Sequence, residues 1–117
     1  MSTFSEPTVP GSSGTRLRFS RVVVDGQVTL HVSGEIDPHT ATLLVDEVEQ
    51  DLATDTDTIR LDLSAVLFID STGLRAILAA QQLTEDRGRR FTIHKPSPAA
   101  LRLFEVTKLT ERLAIES

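Results

Sequence analysis

The chain has 117 residues, 39% of them hydrophobic and 25% charged, with a net charge of −5. That length suits one domain with one modest core. The acidic balance, no Trp or Tyr and only five Phe argue against a nucleic-acid partner, whose phosphates need cations and whose bases need aromatic platforms.

With no cysteine, disulfides, thiolate chemistry and Cys-based metal sites are excluded. No apolar run approaches a membrane-spanning length. The opening "MSTFSEPTVPGSSGT" lacks the basic start and apolar centre of a secretory signal. A cytoplasmic protein without a membrane partner is therefore expected. Ser and Thr supply seven of those fifteen residues, Pro two and Gly two. So little apolar surface cannot offset ordering entropy, and 1–15 read as a flexible tail before a domain at 16–117.

"LRFSRVVV" and "QVTLHVSG" read as two strands around Asp25-Gly26, a pair favoured in tight hairpins. The run "RVVV" does not alternate as a half-buried strand should. Asp37 then offers an N-cap and Pro38 the first position of a helix carrying the stripe Ala41, Leu44, Val45, Val48 and Leu52. "TIRLDLS" alternates Ile59, Leu61 and Leu63 with Arg60, Asp62 and Ser64, as a strand does. The helix after it carries Leu74, Ile77 and Leu78 and stops at Gly88, a C′ residue. "RFTIHK" is a strand, "SPAALRLFEVT" a helix capped by Ser97 with Pro98 first, and "RLAIES" a short final strand. The predicted order is β-β-α-β-α-β-α-β. Helical crossovers require parallel pairing after the hairpin. Alternating strands suit an α/β fold built on a small mixed β-sheet with helices mainly on one face.

Catalytic patterns are thin. His31, His39 and His94 are scattered, and the two on strands fall on polar faces as solvated imidazoles. Ser71 is not in a G-x-S-x-G elbow, since Ile69 holds the first glycine position. Without a Walker-type loop, strong nucleotide binding has no support, and weak binding is left open. No cofactor or metal is called for. "RGRR", 87–90, reads as solvated cations complementing a helix C-terminus.

Two loops remain, "GEID" at 34–37 and "DSTG" at 70–73, each between a parallel strand's C-terminal end and a helix. Partners of open α/β sheets meet that edge. Capping explains Asp37 and one of Asp70, Ser71 or Thr72. It does not explain Gly73, which in a first helical turn costs up to about 1 kcal/mol relative to Ala and suits the close approach of another surface.

"SGEIDPHTA", "IRLDLSAVLFIDSTGLRAILAA" and "IHKPSPAALRLFEVTKL" resemble the successive blocks of a STAS domain, more narrowly of the bacterial anti-sigma factor antagonists. The resemblance runs from about Arg16 to the C-terminus, with "FIDSTGL" its most specific part. It implies the STAS fold and a regulatory binding protein, not an enzyme. The partner it implies is an anti-sigma factor with serine-kinase activity, bound in the unphosphorylated form so that a sigma factor is released. Ser71 matches the phosphorylated serine, and a phosphoserine phosphatase is the implied counterpart. Asp37 matches the aspartate that helps bind the kinase. Glu35, Asp70, Thr72, Gly73 and Arg75 complete the implied partner-binding set. Two residues depart from the family pattern: Arg75 stands where Gly is common, and so does Lys108. The alternatives are a non-switching STAS adaptor in a lipid-transport or signalling complex, and a small hydrolase using Ser71, disfavoured by the missing elbow.

Overall fold

The computed structural model describes residues 2–5 and 17–116. Eight elements follow one another: β1 (Ser2–Ser5), β2 (Leu17–Val24), β3 (Gln27–Ile36), α1 (Ala41–Leu52), β4 (Thr58–Ile69), α2 (Ser71–Asp86), β5 (Arg90–His94) and α3 (Pro98–Val106). The strands form one sheet in sequential order. β1–β2 and β2–β3 are antiparallel, whereas β3–β4 and β4–β5 are parallel.

Local signals place most boundaries. Asp25 and Gly26 both take positive φ, 47° and 80°, as a two-residue hairpin turn requires. Ser97 caps α3 by accepting from Ala100 N–H at 3.2 Å, with Pro98 in its first turn. α2 ends at Asp86 with Arg87 as its C-cap, and Gly88 follows at φ 71°. Regular α1 begins at Ala41, later than the sequence places it, because Pro38–Thr40 form a helical turn of their own.

Other expectations change as well. Ser2–Ser5, read as part of a tail, pair with β2 from Ser2↔Val22 to Ser5↔Phe19. A backbone ladder, not side-chain composition, decides a strand there; the rest of the expected tail lies outside the described residues. The expected final strand is a single parallel bridge, Ile93↔Ile115. The run "RVVV" is broken because Arg21 reaches α1, its Nη2 donating to Glu47 Oε1 at 2.6 Å and its Nε standing 2.9 Å from Asp51 Oδ1. Arg89 also departs from a solvated reading, donating to the carbonyls of Thr54 and Thr56.

One core holds the layers together. Leu30, Ile36, Leu44, Ile59, Leu61, Ile77 and Phe104 are fully buried in it, each worth about 1.5–3 kcal/mol of transfer free energy. The opposite sheet face is polar. There His31 Nδ1 lies 3.1 Å from Asp62 Oδ2, and Glu116 accepts from Arg60 at 2.8 and 2.9 Å and from Thr92 at 2.8 Å. Its carboxylate also lies 3.1 Å from His94 Nδ1, so both strand histidines are paired, not merely solvated. Among the described residues no helix is long and apolar enough to cross a membrane.

Candidate functional site

The parallel register pairs Ile36 of β3 with Ile69 of β4. The chain therefore leaves adjacent strand ends at Asp37 and Asp70, the two sequence loops. Asp70 N–H donates to Ile36 O at 3.3 Å and ties them together.

The Asp37 loop closes on itself. Asp37 Oδ1 accepts from the N–H groups of His39 (2.9 Å) and Thr40 (3.0 Å). Thr40 Oγ1 accepts from Asp37 N–H at 2.9 Å, a reciprocal capping box. Thr40 Oγ1 also lies 2.9 Å from Glu35 O, so half-buried Glu35 is built into the same turn. Burial would raise the Asp37 pKa, but the bonds from His39 and Thr40 prevail and hold it below the ordinary value. Asp37 is 9% exposed, so Pro38 and His39 form the loop's exposed surface.

The second loop is more open. Asp70 is the N-cap of α2, its Oδ1 accepting from Gly73 N–H at 3.0 Å. Ser71 and Thr72 are exposed in the first turn, and Arg75, one turn after Ser71, is exposed on the same side. The orphan amides and dipole of a helix N-terminus favour an anion at such a position. Gly73 is different. It is buried, and its bare α-carbon faces Ile36 and Ile69. The close approach expected from another surface is made within the fold.

The structure thus brings Glu35, Asp37, Asp70, Ser71, Thr72, Gly73 and Arg75 to one edge, but only Ser71, Thr72 and Arg75 present themselves openly. Sequence reasoning missed Leu67 and Phe68, which precede this junction and are 78% and 48% exposed. Two apolar residues in a row, before a junction whose other features were legible, were the signal available. Among the described residues no group of three or more His, Asp or Glu is arranged to hold a metal ion.

A family model described as "Mlab, STAS domain" matches residues 20–115. The anti-sigma-B factor antagonist of Listeria monocytogenes is 30% identical over 90 residues, which span 77% of this chain and 79% of that protein. The crystal structure of an anti-sigma factor antagonist from Mycobacterium paratuberculosis superposes with a TM-score of 0.74 at 28% identity, covering 93% of this chain and 89% of the other. The Bacillus cell fate determinant SpoIIAA in its phosphorylated form shares the fold at a TM-score of 0.63 and 20% identity, covering 86% and 91%. With this register, this site edge and these matches, the chain belongs to the STAS domain family, among the anti-sigma factor antagonists.

Proposed function

We propose that this chain is a cytoplasmic anti-sigma factor antagonist switched at Ser71. Unphosphorylated, it binds an anti-sigma factor that is also a serine kinase, and so frees a sigma factor. Phosphorylation of Ser71 ends the binding, and a phosphoserine phosphatase restores it. The observation that carries this reading is the exposed Ser71 hydroxyl in the first turn of α2, beside exposed Thr72 and Arg75. The solved phosphorylated form of SpoIIAA, a fold relative, supports a phosphate on this architecture.

A phosphate adds about −1.5 to −2 charges and three acceptor oxygens. At a helix N-terminus the fold tolerates it, with about 0.3–1 kcal/mol of stabilisation when exposed. A partner closing over it must bury a dianion, and each ~1.4 kcal/mol of that penalty is tenfold in affinity. The switch therefore acts on association, not on refolding. A hydrolytic role for Ser71 is the weaker reading, because the strand histidines that could serve as bases pair with Asp62 and Glu116.

The test is incubation with the cognate kinase and ATP, mass spectrometry, and pull-down with wild type, Ser71→Ala and the phosphorylated protein. The phosphate is expected on Ser71, with binding kept by Ser71→Ala and lost on phosphorylation. A phosphate on Thr72 or Ser64, or undiminished binding by the modified protein, would sink the mechanism. Recovery of membrane-transport subunits regardless of the state of Ser71 would instead favour a fixed adaptor.

A further inference from the structure

β4 does not keep a plain strand register. Its pairing with β3 moves from His31↔Asp62 to Ser33↔Ala65, then from Gly34↔Val66 to Glu35↔Phe68, with one extra β4 residue at each step. Such bulges re-aim side chains. Val66 and Ile69 stay in the core while Leu67 and Phe68 turn out together.

β5 accompanies β4 only as far as Asp62↔His94. Beyond that point α3 takes its place, joined by Ser97 N–H donating to Leu63 O at 3.2 Å. Between them lies an open groove of about 520 Å³ lined by Leu67, Phe68, Ile69, Pro98, Ala99 and Arg102. Pro98, Arg102 and Val106 follow one side of α3 at a spacing of four, and Val106 is 73% exposed. Neither Arg102 nor Arg75 has a hydrogen-bond or ion-pair partner among the described residues, in a chain of net charge −5. Among the described residues the other exposed large apolar side chains, apart from Leu101 on α3, are Val22, Val23 and Val24 beside the β2–β3 hairpin.

We propose that this groove is the anchor site for the anti-sigma factor, which inserts an apolar side chain against Leu67 and Phe68 and sets a carboxylate against Arg102. The assignment rests on the Ser71 reading above and adds the chemistry of the partner to it. Ile69, which lines the groove, directly precedes Asp70 and Ser71. The groove is therefore next to Ser71 along the chain, where a partner that covers Ser71 can extend to it. An apolar groove flanked by a cation unpaired among the described residues selects a partner patch that is apolar and acidic. A few anchor residues seated in such pockets carry most of an interface's binding energy. The same acidic patch would add like-charge repulsion to the burial penalty once Ser71 is phosphorylated. Asp37 and Asp70, held as hydrogen-bond acceptors in their own turns, add their carboxylates to the negative charge at this edge.

The test is calorimetric titration of the purified anti-sigma factor with full-chain wild type, Leu67→Ser, Arg102→Glu and, as a remote apolar control, Val24→Ser. Thermal melts of each variant report folding. Leu67→Ser and Arg102→Glu should each weaken binding at least about tenfold with melting unchanged, while Val24→Ser binds as wild type does. Restored affinity for Arg102→Glu when a partner carboxylate is changed to Arg would identify the charge pair. Wild-type binding with both groove variants within about threefold overturns the groove and leaves the Ser71 reading standing. No binding by wild type removes both. A dimer of the chain alone that Leu67→Ser dissolves gives the groove to a second copy and overturns the assignment.

Discussion

A β-carbon on Gly73 would stand 2.7 Å from Ile36 Cγ2 and 2.8 Å from the Ile36 carbonyl oxygen. The second contact is with backbone, which cannot rotate away. Gly73→Ala gains about 1 kcal/mol of helix propensity and loses more by pushing α2 off β3, since overpacking costs about 1–3 kcal/mol. We expect a lower urea midpoint, and the loop tie from Asp70 N–H to Ile36 O should show faster amide exchange. A more stable Gly73→Ala protein would mean that helix and strand part without cost.

Lys108 gives the opposite case. It sits at φ 59° just after the Thr107 C-cap of α3, where its N–H donates to Glu105 O at 3.1 Å and Leu109 N–H to Phe104 O at 3.0 Å. This is the left-handed position that glycine commonly fills after a helix. Left-handed backbone costs an L-residue about 1–2 kcal/mol, partly offset by the unfolded-state entropy that glycine adds. Lys108→Gly should therefore raise the melting temperature by a few degrees, corresponding to about 0.5–1 kcal/mol. An unchanged or lower melt would show that the lysine makes a compensating interaction.

These two positions illustrate what was legible in the chain. Asp25-Gly26, Ser97-Pro98 and Gly88 each satisfy their backbone within a few neighbouring residues, so local sequence specifies them. The bulges of β4 do not work that way. Their register is set against β3, so the alternation read correctly from Ile59 to Leu63 fails at Val66, and Leu67 and Phe68 go unnoticed. Arg21 in the middle of "RVVV" depends on Glu47 and Asp51, more than twenty positions away. The site's serine and its helix were legible; the inward turn of Asp37 was not, because it depends on reciprocal bonding with Thr40.

Arg21, Glu47 and Asp51 have side chains only 11%, 11% and 7% exposed, so the guanidinium balances two desolvated carboxylates. Burial raises the Asp51 pKa, with Arg21 opposing it. Arg21→Met would leave both acids uncompensated, at about 3–5 kcal/mol. The loss should be largest near neutral pH and shrink as the pH falls through the carboxylate range, because protonation removes the unpaired charges. Chemical denaturation at several pH values checks this, and a pH-independent loss would point to packing alone.

Glu116 has the reverse sign. Hydrogen bonds from Arg60 lower its pKa most, and with help from Thr92 and His94 they hold it at about 2 against an ordinary 4.5. A carboxyl depressed in the folded state contributes stability above its unfolded pKa and loses it as the pH falls toward the folded value. Wild type should thus exceed Glu116→Gln in stability near neutrality, with the gap closing between pH 4.5 and about 2. Amide exchange at Ile93, whose N–H donates to Ala114 O at 2.8 Å, should quicken in step as the C-terminal segment loosens. A gap that stays constant down to the lower limit would mean that the Arg60 bonds do not set the Glu116 titration.

Asp37 separates folding from recognition most cleanly. Its Oδ1 accepts two backbone bonds within its own loop, so Asp37→Ala forfeits the cap and should cost about 0.5–2 kcal/mol. Asp37→Asn keeps an acceptor oxygen in the same place and removes only the charge, so the loop should hold with a smaller loss. If the anti-sigma factor reads the shape of the Pro38–His39 turn, Asp37→Asn binds nearly as wild type does, and Asp37→Ala binds weakly because the turn frays. If it reads the carboxylate, both variants lose affinity while Asp37→Asn remains folded. The burial of Asp37 and its engagement with Thr40 favour the first outcome. Paired denaturation and calorimetry on the two variants decide it, and a folded Asp37→Asn protein that no longer binds would restore the carboxylate as a direct contact.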